Sequence, residues 1–596
     1  MKKKSFILVL TLLILFKGFA LDNGQKIWQT DSEVYQCIKS LYIMQGLAAP
    51  SSSGPWSTNE LLEMTKLLKD DGSYLYDYVI EELTKAPRKQ PDENLGFNFG
   101  IDLNLEAYTR TNTDTDFANI ETLAYDRQNM NPFFVFNWET FATDHFYGYF
   151  GFDIGNCFHG NTKGEFGYSN ITTNLLLFQD LNFNLGLLSF NFPQRAFVSF
   201  GGKNWNVQIG KDRLSWGNGE TGNFAISDNI PAHSLARFTT FFKSYKYTFL
   251  TSFFPHQLMY YKNDYDPVNG WYLHWSNQGD QAKAAQGLRF YMAHRIEGRF
   301  FDNKLSASLT EAIMYQSDDG TVNPKIFNPV DFFHNYYIRS NANSTLVLEM
   351  DYSPIKHLNI YGQFIADEFA LPVEPTGKTS PKAFPSATGF MLGAKTSFEL
   401  KDGLFYGSFE TVKTDPFLYL RYNAGSDDPN TYGLDYIVGY SEFNTISGAT
   451  VFDEYFLGYQ YGGDALVFNL NAGWNNYKNL SIEGNIFFMA HGTFDKWTNW
   501  SQIGNGSDPS VPKYDQFEGL TSTHPTYNKK DNADAQTRDA ISQTLICGVN
   551  ITYKVKPTVK LFAQQDVVFV NNYGNHAGVQ KLDFQLALGA NINFEY

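Results

Sequence analysis

The last stretch of the chain, Leu582-Asp-Phe-Gln-Leu-Ala-Leu-Gly-Ala-Asn-Ile-Asn-Phe-Glu-Tyr596, decides the fold class because its even-numbered residues are all apolar or aromatic. The odd-numbered positions include Asp583, Gln585 and Glu595, so the hydrophobic period is two residues. This period predicts a β-strand with one apolar face. A terminal strand with an aromatic last residue is typical of bacterial outer-membrane barrels. We therefore expect an all-β, antiparallel transmembrane β-barrel, which the barrel-assembly machinery engages through the strand ending at Tyr596.

The N-terminus predicts an export signal. Lysines at positions 2–4 precede an apolar run at 6–16, which is followed by the small-x-small sequence Gly18-Phe19-Ala20. The run is too short to cross about 30 Å of hydrocarbon. It therefore predicts a signal peptide over residues 1–20, and localisation to the bacterial outer membrane.

The composition of the chain argues against nucleic acid as a partner and favours membrane lipid. The formal net charge is −16, and it becomes −20 without residues 1–20, which hold four lysines and no acid. Such a surface repels nucleic acid. Aromatic residues make up 17% of the chain, with 54 Phe and 37 Tyr. That excess suits the lipid-facing surface and interfacial girdles of a barrel, with outer-membrane lipid as a partner. A soluble secreted sandwich or propeller is the alternative fold.

The mature chain divides into two parts. Residues 21–92 are expected to form a helical periplasmic segment, because Val34, Cys37, Ile38 and Leu41 have helical spacing and Ser57-x-x-Glu60 is a capping box. Residues 93–596 are expected to form the barrel. Outer-membrane barrels use roughly 25 to 30 residues per strand including loops, which predicts roughly 16 to 20 strands, an even number. Long polar stretches lie between some of the strands, at 256–286, 371–388 and 491–538.

Alternation also predicts which side chains face the lumen. In the strand from Arg289, residues such as Phe290 and Met292 take the lipid side, so Arg289, Arg295, Glu297 and their neighbours of the same phase point inward. These arginines could bind carboxylates or phosphates of a solute or glycan. Alternatively, they pair with lumen acids and brace the barrel; Asp102 and Glu106 are the acids considered.

A second inward-facing set lies on the strand that starts at Leu358. Asn359, Tyr361 and Gln363 share one phase with Asp367. Amide, phenol and carboxylate groups suit a sugar, but they suit water in a pore equally well.

One loop and its flanks resemble a known family. The stretches Ile209–Gly219 and Ala225–Leu235 resemble the signature region of the capsule assembly Wzi family of outer-membrane barrels. Further segments agree in the same order along the chain: 41–46, 54–57, 311–315, 332–335, 341–344 and 361–367. The sequence departs from the family pattern at Ser215, where a second Trp is usual, and at Asn218, where Pro is usual.

The resemblance implies an 18-stranded barrel that holds capsular polysaccharide at the cell surface without a catalytic step. Candidate ligand residues in the loop region and the lumen are Arg213, Trp216, Asn229, His233, Arg237, Arg289, Arg295 and Asp367. The chain has no His-Glu-x-x-His, Gly-x-Ser-x-Gly or Walker motif, so we predict no enzyme activity, metal or cofactor.

Two other functions stay open. A polar lumen of 16 to 18 strands is an aqueous channel unless it is plugged, so a passive or substrate-selective porin is the main alternative. An adhesin or assembly scaffold is the third. A plug formed by residues 30–86 would favour the polysaccharide-binding function.

Overall fold

The computed structural model describes residues 23–70, 72–92, 94–112, 131–156, 188–255, 263–266, 270–273, 287–317, 319–322, 324–327, 342–368, 387–420, 434–443, 450–493 and 538–596. The predicted signal peptide at 1–20, the segment at 332–335 and most of the long polar stretches lie outside the described residues.

Three helices precede the barrel: α1 Glu33–Gln45, α2 Thr58–Thr65 and α3 Tyr74–Thr84. The predicted apolar stripe of α1 is buried. Ser57 caps the N-terminus of α2 as predicted, because its hydroxyl accepts a hydrogen bond from the Glu60 amide (3.2 Å). The Glu60 carboxylate does not return to the cap; it pairs with Lys246 of the barrel wall. None of the helices in the described ranges is long and apolar enough to cross a membrane.

Within the described residues, eighteen antiparallel strands form one closed barrel in chain order. Strands β1–β6 span Leu95–Arg110, Phe134–Ala142, Phe146–Asn156, Leu188–Gly202, Trp205–Asp212 and His233–Phe242. Strands β7–β12 span Tyr245–Phe254, Leu288–Phe300, Leu305–Ser317, Ala342–Ile355, Leu358–Glu368 and Ala387–Leu400. Strands β13–β18 span Gly403–Thr414, Ala465–Asn475, Leu480–His491, Ser542–Lys556, Val559–Asn571 and Gln580–Glu595. The predicted fold class is confirmed.

The barrel is apolar outside and polar inside. In β18, Leu582 and Phe584 are exposed on the outer face, whereas Asp583 and Gln585 are buried in the interior. The alternation quoted above thus places the apolar side chains where lipid replaces water.

The first and last strands close the barrel. β18 pairs with β1 from Gln585 opposite Arg110 to Glu595 opposite Gly100. Beyond that point Phe99 and Tyr596 exchange two backbone hydrogen bonds of 2.8 Å. The short strand Lys89–Asp92 then continues the pairing along the same edge of β1. The aromatic last residue therefore lies at the closure itself.

The two ends of the barrel differ. Turns of two to four residues join β2 to β3, β4 to β5 and so on to β16 and β17; we call this side the short-turn end, and the other the long-loop end. The helices lie at the short-turn end, where Ile43 of α1 accepts a hydrogen bond from His357 (2.7 Å) and Ala48 donates one to Asn303 (2.9 Å).

Smaller elements accompany the barrel. Three two-stranded sheets pair Ile27–Trp28 with Trp56–Ser57, Asn263–Asp266 with Gly270–Leu273, and Ile437–Phe443 with Thr450–Phe456. A fourth pairs Ser53–Gly54 with Ser215–Trp216, and 3-10 turns span Pro324–Phe327 and Tyr573–Asn575.

One part of the outer face is not open to lipid. Phe290 and Met292 have the outward phase that the alternation predicts, but both are fully buried. They cluster with Ile313, Tyr315 and Ile326, the last of which belongs to the 3-10 turn. A segment of the chain therefore covers these side chains, and the expectation that they contact lipid is wrong.

Candidate functional site

Two segments enter the lumen and meet there. The first, residues 47–57, comes from the helical side and is called the N-terminal insert. The second, residues 213–232 between β5 and β6, is called the loop insert. Ser53 and Gly54 pair with Trp216 and Ser215 in an antiparallel register, and the Gly217 amide donates to the Ser52 carbonyl (3.0 Å). Backbone hydrogen bonds thus join the two inserts into one body.

The N-terminal insert is attached to the wall by charged side chains. Arg299 donates to the carbonyls of Ala49 (2.7 Å) and Ala48 (2.5 Å). Arg237 donates to the carbonyl of Pro55. Because guanidinium groups satisfy backbone carbonyls that the insert leaves unpaired, the wall replaces the water these carbonyls would otherwise bind.

Arg295 is the centre of a buried ionic cluster. Its guanidinium donates to both carboxylate oxygens of Glu349 (2.7 and 3.0 Å) and to Glu297 (3.1 Å). It also donates to the Ser52 hydroxyl of the N-terminal insert (3.0 Å). The arginine therefore pairs with lumen acids and braces the barrel, as the alternative interpretation expected.

The prediction that Asp102 or Glu106 supplies the carboxylate for this pairing was wrong. Glu106 accepts hydrogen bonds from Asn131, and Asp102 from Asn593, on the opposite side of the barrel. The pairing depends on which strands are neighbours around the wall, and β1 does not neighbour β8.

Inward-facing polar residues hold the loop insert. Glu410 of β13 accepts hydrogen bonds from the amides of Glu220 (2.7 Å) and Thr221 (2.9 Å), and from the Tyr361 hydroxyl (2.6 Å). Gln363 of β11 accepts one from the Phe224 amide (3.0 Å). The predicted inward phase of Tyr361 and Gln363 is correct, and the partner they find is protein.

An apolar cluster packs around the loop insert. Trp216 is 0% exposed, and it shares one core with Phe224 and Ile226 of the same insert. The chain between β13 and β14 adds Tyr419, Tyr459 and others to this core. The lumen toward the long-loop end is therefore packed like the interior of a soluble domain.

The remaining predicted ligand residues are separated. Arg213 is 33% exposed at its side chain and lies 3.4 Å from Asp31. Asn229 is half-buried and donates to the Phe456 carbonyl (3.0 Å). His233 is buried, with its ring Nδ1 3.0 Å from the Ser252 hydroxyl.

The two residues nearest the long-loop end anchor other loops. Arg289 donates to the Asp435 carboxylate (3.2 Å) and the Ile437 carbonyl (2.8 Å). Asp367 accepts from Asn343 (3.1 Å) and from the Tyr419 amide (3.0 Å). The structure thus unites Trp216, Arg237 and Arg295 around the inserts, and leaves Arg213 and Asn229 as the accessible members. Sugar binding by all eight residues stays a prediction.

A lysine pair lies where α1 approaches the wall. Lys395 of β12 pairs with Glu220 and donates to the Asn218 carbonyl (2.7 Å). Burial, and next the ammonium of Lys395, lowers the pKa of Lys39 to about 7. Burial alone would raise the pKa of Glu220, but the ammonium groups of Lys395 and Lys39 outweigh it and hold that pKa below its usual value.

Two small cavities lie beside the N-terminal insert. One of about 40 Å³ is bordered by Tyr42, Glu60 and Arg299, and one of about 20 Å³ by Ser52, Arg295 and Glu349. A water needs at least about 10 to 15 Å³, so these cavities have room for a few waters but not for a solute of sugar size.

Among the described residues, side chains on the opposite arc of the wall are less covered. Some inward-facing amides here are half-exposed and hydrogen-bonded to their neighbours: Asn591 donates to the buried Asn104 of β1 (2.8 Å), and Asn550 donates to Gln564 (2.7 Å). The inserts contact β5 to β13 and leave this arc uncovered by their own residues.

Sequence reasoning missed Glu410 and Glu349. Each alternates with exposed apolar neighbours, Phe409 for Glu410, and Leu348 and Met350 for Glu349, so the period-two pattern already placed both carboxylates inward. What no local pattern contained was the pairing of residues 190 positions apart, such as Glu220 with Glu410.

A closed 18-stranded antiparallel barrel with an apolar outer face is the fold of outer-membrane β-barrel proteins. No family model and no curated protein matches the chain. Among solved structures, it is similar to Wzi of Escherichia coli, an outer membrane protein involved in group 1 capsule assembly and described as a carbohydrate-binding β-barrel. That match has a TM-score of 0.53 at 12% identity and covers 97% of this chain and 99% of Wzi.

Two further matches have lower TM-scores. The outer membrane channel DcaP of Acinetobacter baumannii gives a TM-score of 0.34 at 10% identity, covering 86% of this chain and 100% of that one. OprD of Pseudomonas aeruginosa gives 0.35 at 10% identity, covering 84% and 95%. At these identities the likeness to Wzi concerns the fold alone.

Proposed function

We propose that this protein spans the outer membrane, binds surface or capsular polysaccharide and helps retain it at the cell surface without catalysing a reaction. The observation that carries the proposal is the meeting of the two inserts in the lumen. Because they are bonded to each other and to the wall from β5 to β13, this part of the barrel supports loops rather than a passage.

The proposed function requires one orientation of the barrel in the outer membrane. Outer-membrane barrels have short periplasmic turns and longer extracellular loops. The short-turn end with α1–α3 would then face the periplasm, and the loop insert would hang from the cell surface into the lumen. The shared fold with Wzi, a carbohydrate-binding barrel by its description, supports the proposed function.

The accessible residues of the loop insert are the first candidates for sugar contact. Arg213 presents a partly exposed guanidinium, which suits carboxylates of acidic sugars. Asn229 is half-buried, and its amide oxygen lies buried without a hydrogen-bond partner among described residues, so Arg213 is the stronger candidate. Each contact is weak, but a polymer repeats its units, and repeated contacts multiply retention.

The test compares cell-associated and released polysaccharide in a deletion strain and a complemented strain. We expect release into the medium at unchanged total synthesis. Complementation with Arg213→Gln should restore little retention, whereas the control Arg88→Gln, an exposed arginine at the short-turn end, should restore it fully. An unchanged cell-associated fraction in the deletion strain contradicts the proposal.

A porin is the second candidate, and half-exposed inward-facing amides such as Asn591 of β18 and Asn550 of β16 favour it. Single-channel recordings of the purified protein in a planar bilayer separate the two functions. A large, steady conductance in the intact protein would support the porin, whereas closed or brief openings would support the binding protein.

A further inference from the structure

The short turns carry an unusual amount of positive charge for an acidic protein. Seven of the eight turns contain or adjoin a lysine, and only the turn between β2 and β3 lacks one. These lysines, called the lysine ring, are Lys203, Lys243, Lys304, Lys356, Lys401, Lys478 and Lys556. All seven are exposed, and none forms an ion pair with a residue that the structure describes. Their charge is therefore available to a partner outside the chain.

The lysine ring lies just beyond a belt of exposed aromatic side chains. Lys243 follows Phe242 and precedes Tyr245 by two residues, and both rings are exposed on the outer face. Lys203 likewise precedes the exposed Trp205. Exposed aromatic rings mark the boundary between hydrocarbon and headgroups. The lysines thus lie at the level of the headgroups.

The turns leave a net positive charge at this level. Their acidic members are Asp144, Asp302 and Asp402, fewer than the lysines. A lysine stem can lie along apolar surface while its ammonium reaches toward charge at the interface. Clusters of such ammonium groups beside a membrane surface attract anionic lipids.

We propose that the lysine ring binds the phosphate groups of anionic glycerophospholipids in the membrane leaflet at the short-turn end. The ring would hold the barrel at a fixed depth and gather anionic lipid around its base. This role goes beyond polysaccharide retention and is independent of it, because no residue of either insert takes part.

The test uses full-length mature protein in nanodiscs of equal phosphatidylethanolamine and phosphatidylglycerol. Native mass spectrometry then counts the lipids that stay bound. We expect phosphatidylglycerol to exceed its share of the nanodisc in the wild type. In the triple variant Lys203→Gln, Lys243→Gln, Lys304→Gln, which neutralises three consecutive turns, we expect roughly half of that excess to be lost, because three of the seven ring lysines no longer attract anionic lipid.

Two matched variants make the result specific. The triple Lys→Arg variant at the same positions should keep the excess. The triple variant Lys66→Gln, Lys69→Gln, Lys85→Gln makes the same charge change on exposed residues beside α2 and α3, and it should also keep it. Circular dichroism checks that every variant is folded.

Three results of the lipid measurement would overturn the proposal. They are equal retention of both lipids by the wild type, an undiminished excess in the ring variant, and an equal loss in the α2–α3 control. Binding to isolated peptidoglycan that disappears in the ring variant, with lipid retention unchanged, would assign the lysines to the cell wall and also overturn it.

Discussion

The N-terminal insert and the loop insert occupy the same lumen, yet different kinds of side chain hold them. Arg237, Arg295 and Arg299 bind the first, mainly through its backbone carbonyls and hydroxyls. The second is packed in an apolar core around Trp216 and Phe224, with Glu410 fixing its backbone. Protonation of a carboxylate weakens an ionic attachment, whereas apolar packing contains no titrating group. The N-terminal insert, which charged side chains hold, should therefore be the more acid-sensitive of the two.

The largest effect is expected in the apolar insert. Trp216→Ala removes a fully buried indole and should lower the free energy of unfolding by about 3 to 5 kcal/mol. Denaturant unfolding in detergent measures it. Phe390→Ala removes an exposed ring on the lipid side, and it should lower the free energy of unfolding far less. Equal losses in the two variants would show that the lumen core is not packed as described.

Breaking the ionic cluster should come next. Arg295→Met leaves Glu349 and Glu297 buried without their cation, and it should cost about 3 kcal/mol. Limited proteolysis should then cleave the N-terminal insert before the loop insert. Adding Glu349→Gln to the same chain should recover part of the loss, because one uncompensated charge is gone. A double variant as unstable as the single one would exclude the pairing as the cause.

A smaller effect should depend on pH. The pKa of Lys39 is about 7 in the fold, against an ordinary value of 10.5. Between these two values the unfolded chain holds a proton that the folded chain has released, so the stability of the fold should rise with pH across this window. Thermal midpoints at pH 7 and pH 9 test this. The rise should shrink in Lys39→Met and persist in Lys66→Met, whose lysine is exposed.

The smallest effect is expected where the inserts approach solvent. Arg213→Gln breaks the pair with Asp31, a partly exposed ion pair, so the free energy of unfolding should change by less than about 1 kcal/mol. This variant sharpens the functional test, because lost retention at unchanged stability would locate the defect in ligand contact. A loss of several kcal/mol would instead make Arg213 a structural anchor.

Much of the barrel was predictable from local pattern. The alternation at Leu582–Tyr596 gave its strand, its two faces and the class of fold, because a period of two has only one structural meaning. The cap at Ser57 was predictable for the same reason, since its hydroxyl bonds a backbone amide three residues away. Both depend on neighbours in sequence.

Only part of the interior was predictable. The alternation of side chains along each strand predicted that Arg295, Tyr361 and Gln363 point into the barrel. It could not show that their hydrogen-bond partners would be other protein groups. The burial of Phe290 and Met292 on the outer face has the same origin, because a distant turn covers them.

The sequence by itself determined that this chain is a barrel with an apolar exterior, because side-chain alternation is a local property of extended backbone. Only the tertiary structure decided that the inserts meet at Ser53 and Trp216, and that Arg295 pairs with Glu349. These contacts join residues tens to hundreds of positions apart, and they follow from strand order and loop path, which no local periodicity encodes.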